Sequence, residues 1–185
     1  MLKVGITGNI ASGKSQVEKI IKNKGFLVYD LDLISHDLLV NNKDVKSQII
    51  KHFKTIDRKS LGEIIFNNPI KKKELENIVH PKLKEFCLNV FNQETDIIFI
   101  SGALLYEANF DTLFDKIIYV DSKKETRLKR LMERNSLNET QAKTRIESQN
   151  TIYKSKADFV IDNNETIEAL TIKVNSILHE LTCNK

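Results

Sequence analysis

The stretch VGITGNIASGKS, residues 4–15, decides how the chain is read. Leu2, Val4, Ile6 and Thr7 form a short apolar and β-branched run, which predicts a buried strand over 2–7. From Lys14 onward Val17, Ile20 and Ile21 recur at helical spacing, and Gly25 is placed to end that helix. Between strand and helix, Gly8-Asn9-Ile10-Ala11-Ser12-Gly13-Lys14-Ser15 fits the pattern G-x-x-x-x-G-K-[ST]. Glycines let such a loop turn back on itself so that successive N–H groups point inward, and the helix behind it presents its positive end. The expected ligand is a row of phosphates, bound by the loop together with Gln16 in the first helical turn. Lys14 reaches the terminal phosphates and the Ser15 hydroxyl is the candidate ligand for Mg²⁺. Asn9 and Ala11 are not glycine; Asn tolerates a positive φ, and Ala11 is expected in an ordinary backbone conformation.

Working outward, FLVYD (26–30), IIFIS (97–101), KIIYVD (116–121) and DFVID (158–162) read as four more strands. Helical periodicity fills the intervals, including 104–110, 123–134, 138–150 and 166–181. Alternating strands and helices imply a parallel sheet with helices on both faces. Residues 40–94 carry almost no strand signal and are too long for a simple crossover, so they read as a helical insertion. Pro69 suits a helix start, whereas Pro81 should interrupt one and leave His80 at a corner between two helices. The expected fold is therefore α/β: a three-layer P-loop NTPase architecture with a five-stranded parallel sheet. Its core is 1–39, 95–122 and 151–185, with a helical segment at 40–94 and a helical hairpin at 123–150.

The chain has 185 residues, 41% of them apolar, which suits one domain with attachments. No apolar run reaches the roughly 18 residues needed to cross a bilayer. Two distant cysteines, Cys87 and Cys183, match no metal spacing, and a reduced cytoplasmic protein is the expectation. A net charge of +4 is too small to argue for nucleic acid, and neither a nucleic-acid nor a membrane partner is expected. A monomer is the default expectation.

Two side-chain groups extend the phosphate site. Asp30 and Asp32 stand where the second strand leaves the sheet, on the edge where open α/β sheets bind ligands. Asp32 admits two readings, a helix cap or a carboxylate that orients an attacking hydroxyl. Four of the five arginines fall between 127 and 145; Arg127, Arg130 and Arg134, at i, i+3 and i+7, share one helix face, and Arg145 lies on the next helix. Arginine forks fit phosphate oxygens, so a lid closing on a triphosphate is one reading; a solvated face paired to Glu133 and Glu147 is the other.

Taken together the residues resemble the dephospho-coenzyme A kinases. VGITGNIASGKS (4–15), YDLDLISH (29–36), LGEIIF (61–66), LENIVHP (75–81), ALLYE (103–107), RLKRLMERN (127–135), RIESQ (145–149) and ADFVIDNN (157–164) occur in the family's order and cover nearly the whole chain. The resemblance implies ATP-dependent phosphorylation of the ribose 3′-hydroxyl of dephospho-CoA, with ATP and Mg²⁺. It makes 40–94 the substrate-binding segment and 123–150 the lid. It makes Asp32 the base, Lys14, Arg130 and Arg134 the groups acting on the transferred phosphoryl, and Asn163 a neighbour of the nucleotide. It places Asp30 and His80 on the acceptor side, with Arg58 a candidate for a CoA phosphate; His80 also reads as a residue that satisfies backbone groups near Pro81. The sequence departs from the family at Asn9, Ala11, Leu31 and Ala103, the last two near the acceptor side. The rival readings are another small-molecule or nucleotide kinase, which would differ in 40–94, and a nucleotide switch with no acceptor.

Overall fold

β1 (Leu2–Gly8) is the strand expected at the start of the chain, and it is the middle strand of five. With β2 (Leu27–Asp30), β3 (Ile97–Ser101), β4 (Lys116–Asp121) and β5 (Phe159–Asp162), the order is β2-β3-β1-β4-β5. β1 runs parallel to β3 and to β4, with Val4 opposite Phe99 and Lys116, and β4 runs parallel to β5. The computed structural model describes residues 1–66, 68–93, 96–149 and 152–183, and among these are eight α-helices. They are α1 (Lys14–Asn23), α2 (Leu31–Asn41), α3 (Lys43–Phe53), α4 (Arg58–Phe66), α5 (Pro69–Gln93), α6 (Lys124–Asn135), α7 (Glu139–Glu147) and α8 (Ile167–Cys183).

The strands alternate as buried parallel strands do. Val4, Ile6, Ile97, Phe99, Ile118, Val120 and Ile161 form one buried cluster with Val17, Ile20 and Ile21 of α1 and Leu170, Val174, Leu178 and Leu181 of α8. Ile98, Ile100, Ile117 and Tyr119 belong to the opposite side of the sheet and are buried as well. On that side too a Cβ on Gly5 would come within 2.6 Å of Ile117 Cδ1, which leaves room for glycine alone. α1 closes as expected: Lys24 and Gly25 donate back to Ile21 and Lys22, and Gly25 takes the left-handed φ of +88°.

The chain divides into two units, Met1–Tyr29 with Asp96–Lys185, and Asp30–Thr95. α2 packs on α3 and α5 and so groups with the helical unit, although its residues read from sequence as part of the core. Val45, Ile49 and Phe53 of α3, Leu61 of α4, and Val79, Leu83 and Cys87 of α5 are buried. None of the described helices is long and apolar enough to cross a membrane.

Two expectations about local structure are overturned. α5 runs unbroken through Pro81, so His80 is mid-helix and there is no corner. A mid-helix proline costs about 3 kcal/mol through a lost hydrogen bond and a clash one turn back. Here Pro81 and Asn77, whose carbonyl it frees, are both exposed, while Val79, Leu83 and Cys87 anchor the opposite face. Burial of that face holds the helix together, and the freed carbonyl belongs to an exposed residue. Residues 103–109 are turns where a short helix was expected over 104–110. Ala108 N–H reaches Leu104 O, but Phe110 N–H skips to Leu105 O and Asn109 adopts φ +55°, which ends the turn after one cycle.

Candidate active site

The phosphate loop is residues 8–15, between the end of β1 and the start of α1, as the motif requires. Gly8 is there for close approach: a Cβ would lie 2.2 Å from Val120 O of β4. Gly13 needs both its room and its left-handed φ of +98°, since a Cβ would lie 1.9 Å from Asn163 Nδ2. Ala11 is also left-handed, at φ +59°, and Asn9 is not among the positive-φ residues; the roles expected for these two are reversed. A left-handed alanine costs about 1–2 kcal/mol and persists only where its surroundings over-determine it.

Those surroundings are visible residue by residue. Ser12 N–H donates to Asn9 O at 3.0 Å and closes the turn. The Tyr119 hydroxyl of β4 donates to Asn9 Oδ1 at 2.9 Å, both residues being buried. Ile10 N–H donates to Gln149 Oε1, just past α7, at 2.5 Å. Ser12 O accepts from Asn163 Nδ2 at 2.8 Å and from Arg130 Nη1 at 3.3 Å. The Ile10 and Ala11 side chains pack against a buried cluster of Leu131, Ala142 and Ile146 inside the α6–α7 hairpin. Strand β4 thus holds Asn9, the hairpin holds Ile10, and Asn163 and the hairpin's Arg130 together hold Ser12.

The loop is suited to anions. Among the described residues α1 has no side-chain N-cap and no acidic residue in its first turn, so its leading N–H groups are uncapped by side chains. The Ser12 hydroxyl is buried without a hydrogen-bond partner. Lys14 Nζ lies 2.9 Å from Glu18 Oε1 and 3.4 Å from Ser101 Oγ at the end of β3. Ser15 and Gln16 are exposed at the helix start. The donor set also fits Mg²⁺ arriving with a nucleotide: Ser15 offers a hydroxyl, and no cluster of three or more His, Cys, Asp or Glu exists among the described residues to cage a metal independently. Ser15 would hold Mg²⁺ there, and the ion would supply charge to offset the phosphates.

The arginines do not act as one face. Arg127 is buried, donates from Nε to Ser122 O at 3.1 Å and leaves Nη1 unpartnered, because the first turn of α6 lies against the end of β4. Arg130 lies against the loop and also donates from Nη2 to Asn163 O at 3.2 Å. Arg134 is exposed and bonds Asn135 Oδ1 at 2.9 Å; Arg145 is exposed too. Glu147 pairs with Lys124 at 2.8 Å, not with an arginine. Asn163, expected beside the nucleotide, braces the loop through Ser12 O.

In the helical unit the cap of α2 is Asp30, whose Oδ1 accepts from Asp32 N at 2.8 Å and Leu33 N at 3.4 Å. The capping reading of Asp32 is therefore replaced: Asp32 is exposed in the first turn of α2. His80 is half-buried on α5, and burial lowers its pKa from 6.5. The Arg58 side chain lies outside the described structure. Sequence reasoning missed Tyr119, Glu18 and Ser101. Tyr119 carried a signal, since a tyrosine inside the continuous apolar run KIIYVD needs a partner for its hydroxyl.

A parallel sheet ordered β2-β3-β1-β4-β5 with a Gly-Lys-Ser phosphate loop after its central strand defines a P-loop kinase. A family model for dephospho-CoA kinase matches residues 2–169, and the chain belongs to that family. The curated dephospho-CoA kinase of Fusobacterium nucleatum is 41% identical over 182 residues, covering 92% of this chain and 94% of its own. That of Listeria innocua is 37% identical over 196 residues, covering 98% of each. Among solved structures, a dephospho-CoA kinase from Campylobacter jejuni is 33% identical with a TM-score of 0.71, covering 99% of this chain and 98% of that one. The protein TT1252 from Thermus thermophilus is 27% identical with a TM-score of 0.84, covering 97% of both chains. A shikimate kinase from Bacteroides thetaiotaomicron, 13% identical with a TM-score of 0.60, covers 98% of both chains and shares the fold. The family's enzymes use ATP to phosphorylate dephospho-CoA, the final step of coenzyme A biosynthesis.

Proposed function

We propose that this chain passes the γ-phosphoryl of ATP in line to the ribose 3′-hydroxyl of dephospho-CoA, with Asp32 as the base. The observation that carries the role of Asp32 is the cap. Asp30 spends its carboxylate on the first N–H groups of α2, so Asp32 is not needed there and stands exposed just beyond the end of β2. β1 delivers the phosphate loop to the carboxyl edge of a parallel sheet, where such folds bind ligands. Phosphoryl transfer asks mainly for positioning and charge stabilisation, and one carboxylate suffices to orient and deprotonate the hydroxyl. The loop N–H groups and Lys14 hold the phosphates, and Ser15 holds Mg²⁺. Arg130 and Arg134 of the lid segment 123–150 balance charge on the transferred group. Residues 40–94, with His80 and Arg58, receive the acceptor. The cytoplasm, where ATP is abundant and thiols stay reduced, is the proposed location.

Asp32→Asn separates chemistry from binding. Turnover with dephospho-CoA should fall about 10²–10⁴-fold, the range for loss of a general base, while the Kd for ATP stays within about threefold. ADP release by the variant within tenfold of wild type would remove Asp32 from the base role. A panel of nucleoside and nucleotide acceptors in the same assay distinguishes dephospho-CoA from other acceptors.

A further inference from the structure

The residue at the second position of the phosphate loop is where this chain is most particular. Asn9 is buried without a left-handed backbone, so its side chain, not its conformational tolerance, is what the site uses. Its Oδ1 accepts from the Tyr119 hydroxyl at 2.9 Å. Its main-chain carbonyl accepts from Ser12 N–H at 3.0 Å, and that turn carries Ala11 at φ +59°. The next residue of β4, Val120, presents the carbonyl against which Gly8 is pressed. Two successive residues of β4 thus template two successive residues of the loop. Tyr119 is 3% exposed, on a sheet face it shares with Ile98, Ile100, Ile117 and the buried Thr7 opposite it on β1. A phenol has no place on that face unless its hydroxyl is satisfied, and Asn9 is what satisfies it.

We propose that Tyr119 is a positioning residue for phosphoryl transfer: its hydroxyl fixes Asn9, and through Asn9 the strained turn that shapes the loop for the ATP phosphates. The hydroxyl remains a donor at any working pH, since burial, reinforced by Asp121, pushes its pKa up to about 12. Tyr119 touches no reacting atom; it holds the loop from beneath. The bond is neutral and buried, so its loss should be felt where the loop binds, in the KM for ATP, and not in the KM for dephospho-CoA.

The proposal rests on the loop being the ATP site, which Lys14→Ala tests separately by calorimetric titration with ATP. A twofold-range Kd in that variant would overturn both ideas. The test of Tyr119 is a double-mutant cycle on the full chain with Tyr119→Phe, Asn9→Gly and the pair. Each single change should raise the KM for ATP roughly three- to tenfold, the worth of one neutral hydrogen bond. The KM for dephospho-CoA should stay within twofold, and the double variant should be no worse than either single one. Asn9→Gly removes the acceptor without touching the sheet, so it reports even if Tyr119→Phe folds poorly. The proposal is overturned if the two effects multiply. It is overturned equally if the variants lose thermal stability while both KM values stay within twofold, which would make the bond merely structural.

Discussion

Gly13 shows how one residue carries both a conformational and a steric demand. Its φ of +98° is open to glycine, and the place a methyl would take is filled by Asn163 Nδ2 at 1.9 Å. Gly13→Ala should therefore destabilise the protein by about 3 kcal/mol, combining left-handed strain with overpacking, as a lowered midpoint in urea denaturation. Adding Asn163→Ala should recover the steric part and leave the strain. A wild-type midpoint for Gly13→Ala would show that the loop relaxes freely and that Asn163 does not brace it. The glycine requirement was legible in the motif, because a phosphate cradle needs it at fixed positions. The left-handed conformation of Ala11 was not, because nothing local in alanine favours it; it is imposed by Gln149, Tyr119 and Asn163, which lie far along the chain.

At the scale of elements, the hairpin of α6 and α7 is joined to the phosphate loop. Its small core of Leu131, Ala142 and Ile146 is completed by Ile10 and Ala11, and Gln149 takes the Ile10 N–H. α7 is held at its own start by a capping box between Asn138 and Gln141. The loop is thus one wall of the α6–α7 hairpin, and a disturbance of one should reach the other. Ile10→Ala removes half-buried side-chain packing worth about 1 kcal/mol, so native-state hydrogen exchange in α6 and α7 should quicken about fivefold while β1, β3 and β4 keep their rates. Unchanged exchange in the hairpin would mean that Ile10 contributes no coupling. Helical spacing disclosed the two helices, over 123–134 and 138–150, and an arginine-bearing face, but not their apolar stripe. It could not disclose that the stripe is finished by residues from the first turn of the chain, since periodicity records which face is apolar and not what covers it. The same limit explains α5: the rule for Pro81 is local, and the buried line of Val79, Leu83 and Cys87 that overrides it comes from packing.

For the molecule as a whole, the two units should respond to acid at different pH. In the helical unit His80 is half-buried on α5; burial lowers its pKa from 6.5, Glu76 opposes this, and Lys73 and Lys72 add to it. The unfolded chain then takes up a proton at a pH where the folded chain does not. The stability this residue leaves intact is fully present above about pH 6.5 and is lost as pH falls through the lower folded value. In the sheet unit, Asp158 ties the starts of β4 and β5 together, accepting from Ile117 N at 2.8 Å and Lys116 Nζ at 2.9 Å. Burial alone would raise the Asp158 pKa; the Lys116 ammonium and the Ile117 N–H outweigh it and hold the group below 3.8. Its contribution is present above that value and is lost only as pH falls further. Hydrogen exchange followed from pH 7.5 downward, corrected for intrinsic rates, should show α5 loosening in mildly acidic solution while β4 and β5 stay protected until below about pH 4. His80→Asn should abolish the first step and leave the second, and Asp158→Asn should do the reverse. A single transition shared by both units, unmoved by either substitution, would mean that neither group governs the acid response.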